Sequence, residues 1–321
     1  MLQVPAPGPR LAEIGARSGQ CGYQLRQEQR YDRQKMERRW HPIPILLSVA
    51  ALLIVGYSGA SWYLWAKQQE LIFFPSREVR RTPADLQLQY EEVWLPVAGS
   101  NPISMNGWWL RSDDAAAPVL LYLHGNDLNI AGNIEHIAPL RRMGLSVLIV
   151  DYRGYGKSGG GFPSEGQLYE DAETAWNYLI RDLHADPGRA FIYGHSLGGA
   201  VAIELGLRHP EAAGLILEST FTSIPDIAKL TYWMFPADWL LNQRFDALAK
   251  IPLLRLPMLF IHGMADTEVP YTMSERLFAA ARGPKWLMLI PGGGHENSAD
   301  VGGTLYTRVV LEFTQNNRRG H

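Results

Sequence analysis

The chain has 321 residues, 46% of them hydrophobic and 19% charged, with a net charge of −2 and a single cysteine, Cys21. That is enough for one large α/β domain with a full core plus an extension. So small a net charge gives no global field to gather nucleic acid or acidic lipid, and one cysteine excludes an internal disulfide and a Cys/His metal framework.

Residues 1–42 are rich in Pro, Gly, Gln and Arg and carry no apolar period, which predicts disordered chain. Met36, directly before a hydrophobic run, offers a second start, so residues 1–35 are expected to be an over-extended beginning. Ile43 to Trp65 holds 23 residues without a charge, enough to span a hydrocarbon core of about 30 Å. Trp62, Tyr63 and Trp65 cluster at its far end, as interfacial aromatics do. Arg30, Arg33, Lys35, Arg38 and Arg39 precede the segment closely, against Lys67, Arg77 and Arg80 after it. This excess predicts a cytoplasmic N-terminus and an extracytoplasmic, periplasmic if bacterial, globular domain. A cleaved signal peptide with Ser58-Gly59-Ala60 as its cleavage site is the competing reading; the aromatic block after Ala60 favours an uncleaved anchor.

From about Gln68 short apolar runs alternate with longer amphipathic stretches. Strands are predicted near Tyr90–Leu95, Ile103–Leu110, Val119–His124, Ser146–Asp151, Ala190–Gly194, Gly214–Ser219, Pro257–His262 and Trp286–Ile290. Helices are predicted near Asn133–Arg142, Gly166–Arg181, Leu197–Arg208, Thr272–Ala281 and Thr304–Gln315. The first two strands, joined without a helix, should be antiparallel. From Val119 onward the βαβα alternation implies a parallel sheet with helices on both faces.

Chemistry in open α/β sheets gathers at the carboxyl ends of the strands. Those ends read His124-Gly125-Asn126-Asp127, Asp151-Tyr152-Arg153-Gly154, Glu218-Ser219-Thr220, His262-Gly263-Met264-Ala265-Asp266 and Gly292-Gly293-Gly294-His295. The fifth strand ends in Gly194-His195-Ser196-Leu197-Gly198-Gly199 and runs into a helix. Strand, G-x-S-x-G, helix is the context of a nucleophile elbow, in which a tight turn forces the serine hydroxyl out above the sheet. The bland alternative for Ser196 is an ordinary helix N-cap. His136, His184, His209 and His262 show no partner pattern, no H-x-x-x-H metal spacing occurs, and the glycine triplet lacks the Lys-Ser/Thr of a phosphate cradle.

These motifs, over roughly residues 70–315, resemble the α/β-hydrolase superfamily. Leu71-Ile72-Phe73-Phe74-Pro75 after the anchor, His124-Gly125-Asn126, Glu218-Ser219-Thr220-Phe221 and His262-Gly263-x-x-Asp266 are similar to a membrane-anchored serine hydrolase group that includes bacterial members of unassigned substrate and the animal protein depalmitoylases. The resemblance implies an eight-stranded, mostly parallel α/β-hydrolase sheet with a short helical cap. The expected domains are 1–42, the anchor 43–65, and a catalytic domain 66–321 with its cap at about 222–256. In the family's order Ser196 is the nucleophile, Asp266 the orienting acid and His295 the base. Glu268 is a rival acid, and His295 alone could be a solvated loop histidine. The oxyanion hole would use the backbone N–H of Leu197, after the nucleophile, and that of Asn126, placed by resemblance. His124 is a structural residue in the family, and Asp151 and Arg153 are expected to brace their loop.

No cofactor or metal is implied, and no nucleic-acid partner. The cap position carries Ile224, Ile227, Leu230, Tyr232, Trp233, Met234, Phe235, Trp239, Leu240 and Leu241, an apolar surface suited to an acyl chain or to packing on the sheet. The expected activity is hydrolysis of a carboxylic ester or thioester of small-molecule or acyl/lipid type. A serine peptidase of the same fold and a catalytically idle membrane-tethered module are the alternatives.

Overall fold

The computed structural model describes residues 12–40, 42–97 and 102–318, and the chain divides into two units between Trp62 and Tyr63. The first holds α1 (Ala12–Trp40) and most of α2 (Pro42–Ala66). The helical state of residues 12–40 corrects the expectation of disordered chain over 1–42; residues 1–11 and 41 lie outside the described residues. A missing apolar period means that a segment has nothing to bury; it does not remove backbone preference. Arg and Gln, the commonest residues of α1, are good helix formers. Side chains four apart also assist: Arg26 Nε donates to the Gly22 carbonyl and Gln27 Nε2 to the Tyr23 hydroxyl, both at 3.2 Å. Helix α2 has 25 residues, an 18-residue window of mean hydropathy 2.1 and no buried side chain. At 1.5 Å per residue it is about 37 Å long.

In the second unit all eight predicted strands form one sheet: β1 (Glu91–Val97), β2 (Ile103–Leu110), β3 (Val119–Leu123), β4 (Ser146–Val150), β5 (Ala190–His195), β6 (Gly214–Glu218), β7 (Met258–Gly263) and β8 (Lys285–Ile290). Their order is β1-β2-β4-β3-β5-β6-β7-β8. β2 is antiparallel to both β1 and β4, and the remaining pairs are parallel. Strands β4 to β7 are buried along their whole length, which is why their sequences show no polar alternation. Alternate residues feed opposite faces. Leu121 and Leu123 pack with α5 (Glu165–Arg181), α6 (Leu197–Arg208) and α10 (Thr272–Ala280). Leu120 and Tyr122 pack with α4 (Ile134–Arg142) and α11 (Ser298–Asn316) on the other side. The cap contains α7 (Ile224–Thr231), α8 (Ala237–Leu240) and α9 (Ala247–Lys250).

After β3 the chain passes to β4 on one side and then to β5 on the other. The crevice beyond the carboxyl ends of β3 and β5 is therefore the switch point where open α/β sheets hold their ligands. One element of this rim is absent from the sequence reading. Phe74–Pro75, just after α3 (Gln68–Ile72), pairs in parallel with Asp127–Leu128, just after β3.

Helix α6 lies so close to the sheet that side chains cannot intervene. A Cβ at Gly198 would enter the Leu123 carbonyl, one at Gly194 the backbone of Gly198 and Gly199, and one at Gly199 the hydroxyl of the buried Thr220. Overpacking of this kind costs about 1–3 kcal/mol. Gly199→Ala should lower stability by that amount in urea unfolding, whereas Gly161→Ala, where a Cβ meets nothing within 4 Å, should change it by less than about 0.5 kcal/mol.

Candidate active site

Ser196 stands between β5 and α6, with φ +53° and ψ −118°. A non-glycine residue adopts this backbone only when its surroundings impose it, and here the glycine contacts of α6 do so. Ser196 occupies the N-cap position, but its side chain makes no capping hydrogen bond. The hydroxyl is thus not spent on the helix, and the N-cap alternative loses its energetic basis. Leu197 is the first residue of α6, where a backbone N–H has no intrahelical acceptor.

Each residue of Glu218-Ser219-Thr220 has a separate duty around this turn. The Glu218 carbonyl accepts from Ser196 N at 2.9 Å, the Ser219 hydroxyl donates to the His295 carbonyl at 3.1 Å, and Thr220 packs on Gly199. Consecutive residues at the end of β6 therefore tie the backbones of Ser196 and His295 to one point of the sheet. The loops after β7 and β8 are also joined: Ala265 N donates to the Gly293 carbonyl at 2.7 Å and Met264 N to that of Ile290 at 2.9 Å.

This brings Asp266 and His295 together. His295 Nδ1 donates to Asp266 Oδ2 at 2.7 Å, leaving Nε2 as the unprotonated nitrogen of the neutral ring. Glu268 bonds Asp266 through its backbone N–H, which with that of Val269 reaches Asp266 Oδ1 at 2.8 Å. His262, to which the sequence assigned no partner, donates from Nε2 to Asp266 Oδ2 at 3.1 Å and to the Val269 carbonyl at 2.9 Å. Its Nδ1 then accepts from the Ser274 hydroxyl at 2.6 Å. The signal was present as the four-residue spacing of His262 and Asp266. Burial works against an ionised Asp266, but hydrogen bonds from His262 and His295, the His295 charge and the Val269 N–H hold its carboxyl well below the usual carboxylate range. Burial likewise works against a charged His295; the Asp266 hydrogen bond and charge, with Glu296 and Glu268, outweigh it and raise the ring above its ordinary pKa.

Among the described residues one group, His136, His195 and Glu296, brings possible metal-ligand atoms within 4.8 Å of one another. Hydrogen bonds account for all three side chains. His136 Nε2 donates to Glu296 Oε2 at 2.7 Å, and His195 Nε2 to the His295 carbonyl at 3.1 Å. His136 thus has a partner the sequence did not reveal, as does His209, which bonds Glu173 and Glu211.

His124 is fully buried, donates from Nδ1 to the Gly125 carbonyl at 2.7 Å, and is pushed down to about 4 by burial. It is a neutral structural ring. Asp151 Oδ1 accepts from Ile130 N at 2.8 Å, and Arg153 grips Asp171 through Nε and Nη2 at 2.6–3.1 Å, so both brace their loop. Asn126 is held from three directions. Its Nδ2 donates to the Ile72 carbonyl at 2.6 Å, and its own carbonyl accepts from Phe74 N at 2.9 Å and the Tyr155 hydroxyl at 2.8 Å.

A family model described as serine aminopeptidase, S33, matches residues 114–250. An α/β-hydrolase domain-containing protein of Arabidopsis thaliana, WAV2, is 31% identical, with 84% of this chain and 96% of that protein covered. The chain belongs to the α/β-hydrolase superfamily. An uncharacterized protein of Mycobacterium tuberculosis is 34% identical over 83% of this chain and 94% of its own length. The Pyrococcus furiosus esterase Pf2001 shares the fold at a TM-score of 0.62 and 20% identity, covering 77% of this chain and 99% of that one.

In an NMR titration of histidine side chains, the His295 midpoint should lie above the ordinary imidazole value of about 6.5. Glu296→Gln removes a negative charge that favours the protonated ring and should lower the midpoint; an unchanged or higher midpoint contradicts the electrostatic assignment.

Proposed function

We propose that this protein is a membrane-anchored serine hydrolase that cleaves carboxylic ester or thioester bonds through an acyl-enzyme intermediate. The observation that carries the reading is the Asp266–His295 hydrogen bond at the rim where the strained turn presents Ser196. A serine hydroxyl is a poor nucleophile until a base removes its proton. In this reading His295 Nε2 takes the Ser196 proton as Oγ attacks the acyl carbon. The negative charge that develops on the carbonyl oxygen is met by the backbone N–H groups of Leu197 and Asn126, supported by the positive end of α6. His295 then returns the proton to the leaving alcohol or thiol, giving the Ser196 acyl ester. Water, deprotonated by the same ring, attacks that ester and releases the acid and the serine. Asp266 keeps the ring in the required tautomer and stabilises its charged form. Because only the neutral ring accepts a proton, kcat/KM falls as pH drops through the His295 midpoint.

The description of the matching family model as a serine aminopeptidase favours a second reading, hydrolysis of an aminoacyl amide. The same three side chains would serve it. Turnover of a chromogenic ester without turnover of an aminoacyl amide selects the first reading. A fluorophosphonate probe should label wild type and not Ser196→Ala, and the substitution should lower kcat by roughly 10⁴–10⁶-fold. Absence of labelling in the folded wild type would instead select an idle interaction module.

Helix α2, long and apolar enough to cross a bilayer, is read as an uncleaved anchor. Basic residues before it exceed those after it, which supports a cytoplasmic N-terminus and an extracytoplasmic hydrolase domain. Alkaline carbonate extraction should leave the full-length protein in the membrane pellet; release of an intact hydrolase domain into the supernatant contradicts the anchor.

A further inference from the structure

A cavity of about 170 Å³ lies between the last turn of α2, with the segment that follows it, and the cap. Leu64, Gln68 and Leu71 form one wall, and Ile227, Phe235 and Leu241 contribute to the other. No charged side chain lines it. The polar groups that do are largely occupied elsewhere. Gln68 Nε2 donates to the Trp65 carbonyl at 2.8 Å, and its Oε1 accepts from the backbone N–H groups of Asn242 and Gln243 at 2.9 and 3.2 Å. Asn126 spends its side-chain amide on Ile72. What the cavity offers a guest is therefore chiefly apolar surface, worth about 25 cal/mol per Å² removed from water. An aminoacyl group would bring an ammonium with no anion to receive it.

The cavity meets the rim at Asn126, whose neighbour Gly125 stands against Ser196; a Cβ there would be 3.4 Å from the serine Cβ. A chain attached to a carbonyl held at Ser196 has this opening beside it. The cap's outer surface is also apolar: Trp233 and Trp239 are 76% and 92% exposed, with Leu230 and Met234 exposed as well. Uncovered apolar patches mark interaction surfaces, and tryptophan favours the membrane–water interface.

We infer that this cavity seats the fatty acyl chain of the substrate, and that the juxtamembrane residues Leu64 and Leu71 help to set chain-length preference. The inference rests on the serine-hydrolase reading and narrows its substrate to long acyl esters and thioesters. The segment leading out of the anchor is then part of the substrate site, because without it one wall of the cavity is missing.

The test uses the full-length protein in nanodiscs with 4-nitrophenyl acetate and octanoate. Wild type should show the higher kcat/KM for octanoate. Leu71→Trp, at a position 38% exposed, and Ala228→Trp, also on the lining, should lower the octanoate-to-acetate ratio at least tenfold by filling the cavity. Leu253→Trp, exposed and outside the lining, should leave the ratio as in wild type. Wild-type and variant ratios within twofold of one another, with Ser196 still labelled by fluorophosphonate, overturn the cavity assignment alone. No labelling of wild type overturns the hydrolase reading and this inference with it. Octanoyl glycerol and an S-octanoyl peptide distinguish the carrier of the chain: turnover of either supports the inference, and turnover of neither overturns it.

Discussion

The close approach of α6 to the sheet is the constraint on which the site depends. Gly194, Gly198 and Gly199 remove the atoms that would hold the helix away from β3, β5 and β6. With the helix start pressed down, the chain must reverse within one residue, and Ser196 takes the left-handed backbone that this requires. The strain at Ser196 is of order 1–3 kcal/mol and is maintained by the burial of α6, whose residues are almost all core. The same contact sets the first backbone N–H of the helix next to the loop after β3. One packing decision thus positions Ser196, the proposed nucleophile, and the Leu197 N–H proposed as an oxyanion donor.

The second organising feature is an electrostatic gradient centred on His295. Asp266 stays ionised despite burial because four donors converge on its two oxygens: His262 and His295 on one, the Glu268 and Val269 N–H groups on the other. Its charge and that of Glu296 stabilise the protonated imidazole, the form a general base must pass through. Glu296 is itself drawn to His136, so a histidine on α4 acts on the ring indirectly, through the residue next to it in sequence. In such a network the removal of one partner is felt by the others.

The third is the continuity between the end of α2 and the rim. The chain leaving α2 is fastened to the cap through Gln68 and to the loop after β3 through Ile72, Phe74 and the short parallel pairing with Asp127–Leu128. Asn126 is held by this segment and by Tyr155 at once. The anchor-proximal chain therefore takes part in fixing the geometry of the rim, in addition to any tethering by α2.

Much of this was legible in the residues. Strands buried on both faces announce themselves as continuous apolar runs, and all eight were placed within one or two residues of their observed ends. Ser196, Asp266 and His295 were singled out because each follows such a run, and in a parallel sheet those ends share one edge. What stayed hidden has three physical origins. Helix α1 carries no apolar period that could reveal it, and its backbone preference had to be read separately. His136 and Glu296 meet across loops, and the residue types alone do not say which loops meet; Glu296 lies 160 positions from His136. The pairing of Phe74–Pro75 with Asp127–Leu128 is too short to carry a pattern. The sequence by itself determined the order of elements and the long apolar segment, because local period and turn chemistry encode these; the candidate triad it offered came from strand ends read together with the family resemblance. Only the tertiary structure decided that His295 is bonded to Asp266 and that Leu64, Gln68 and Leu71 share a cavity with the cap, because both depend on distances between segments that chain order leaves open.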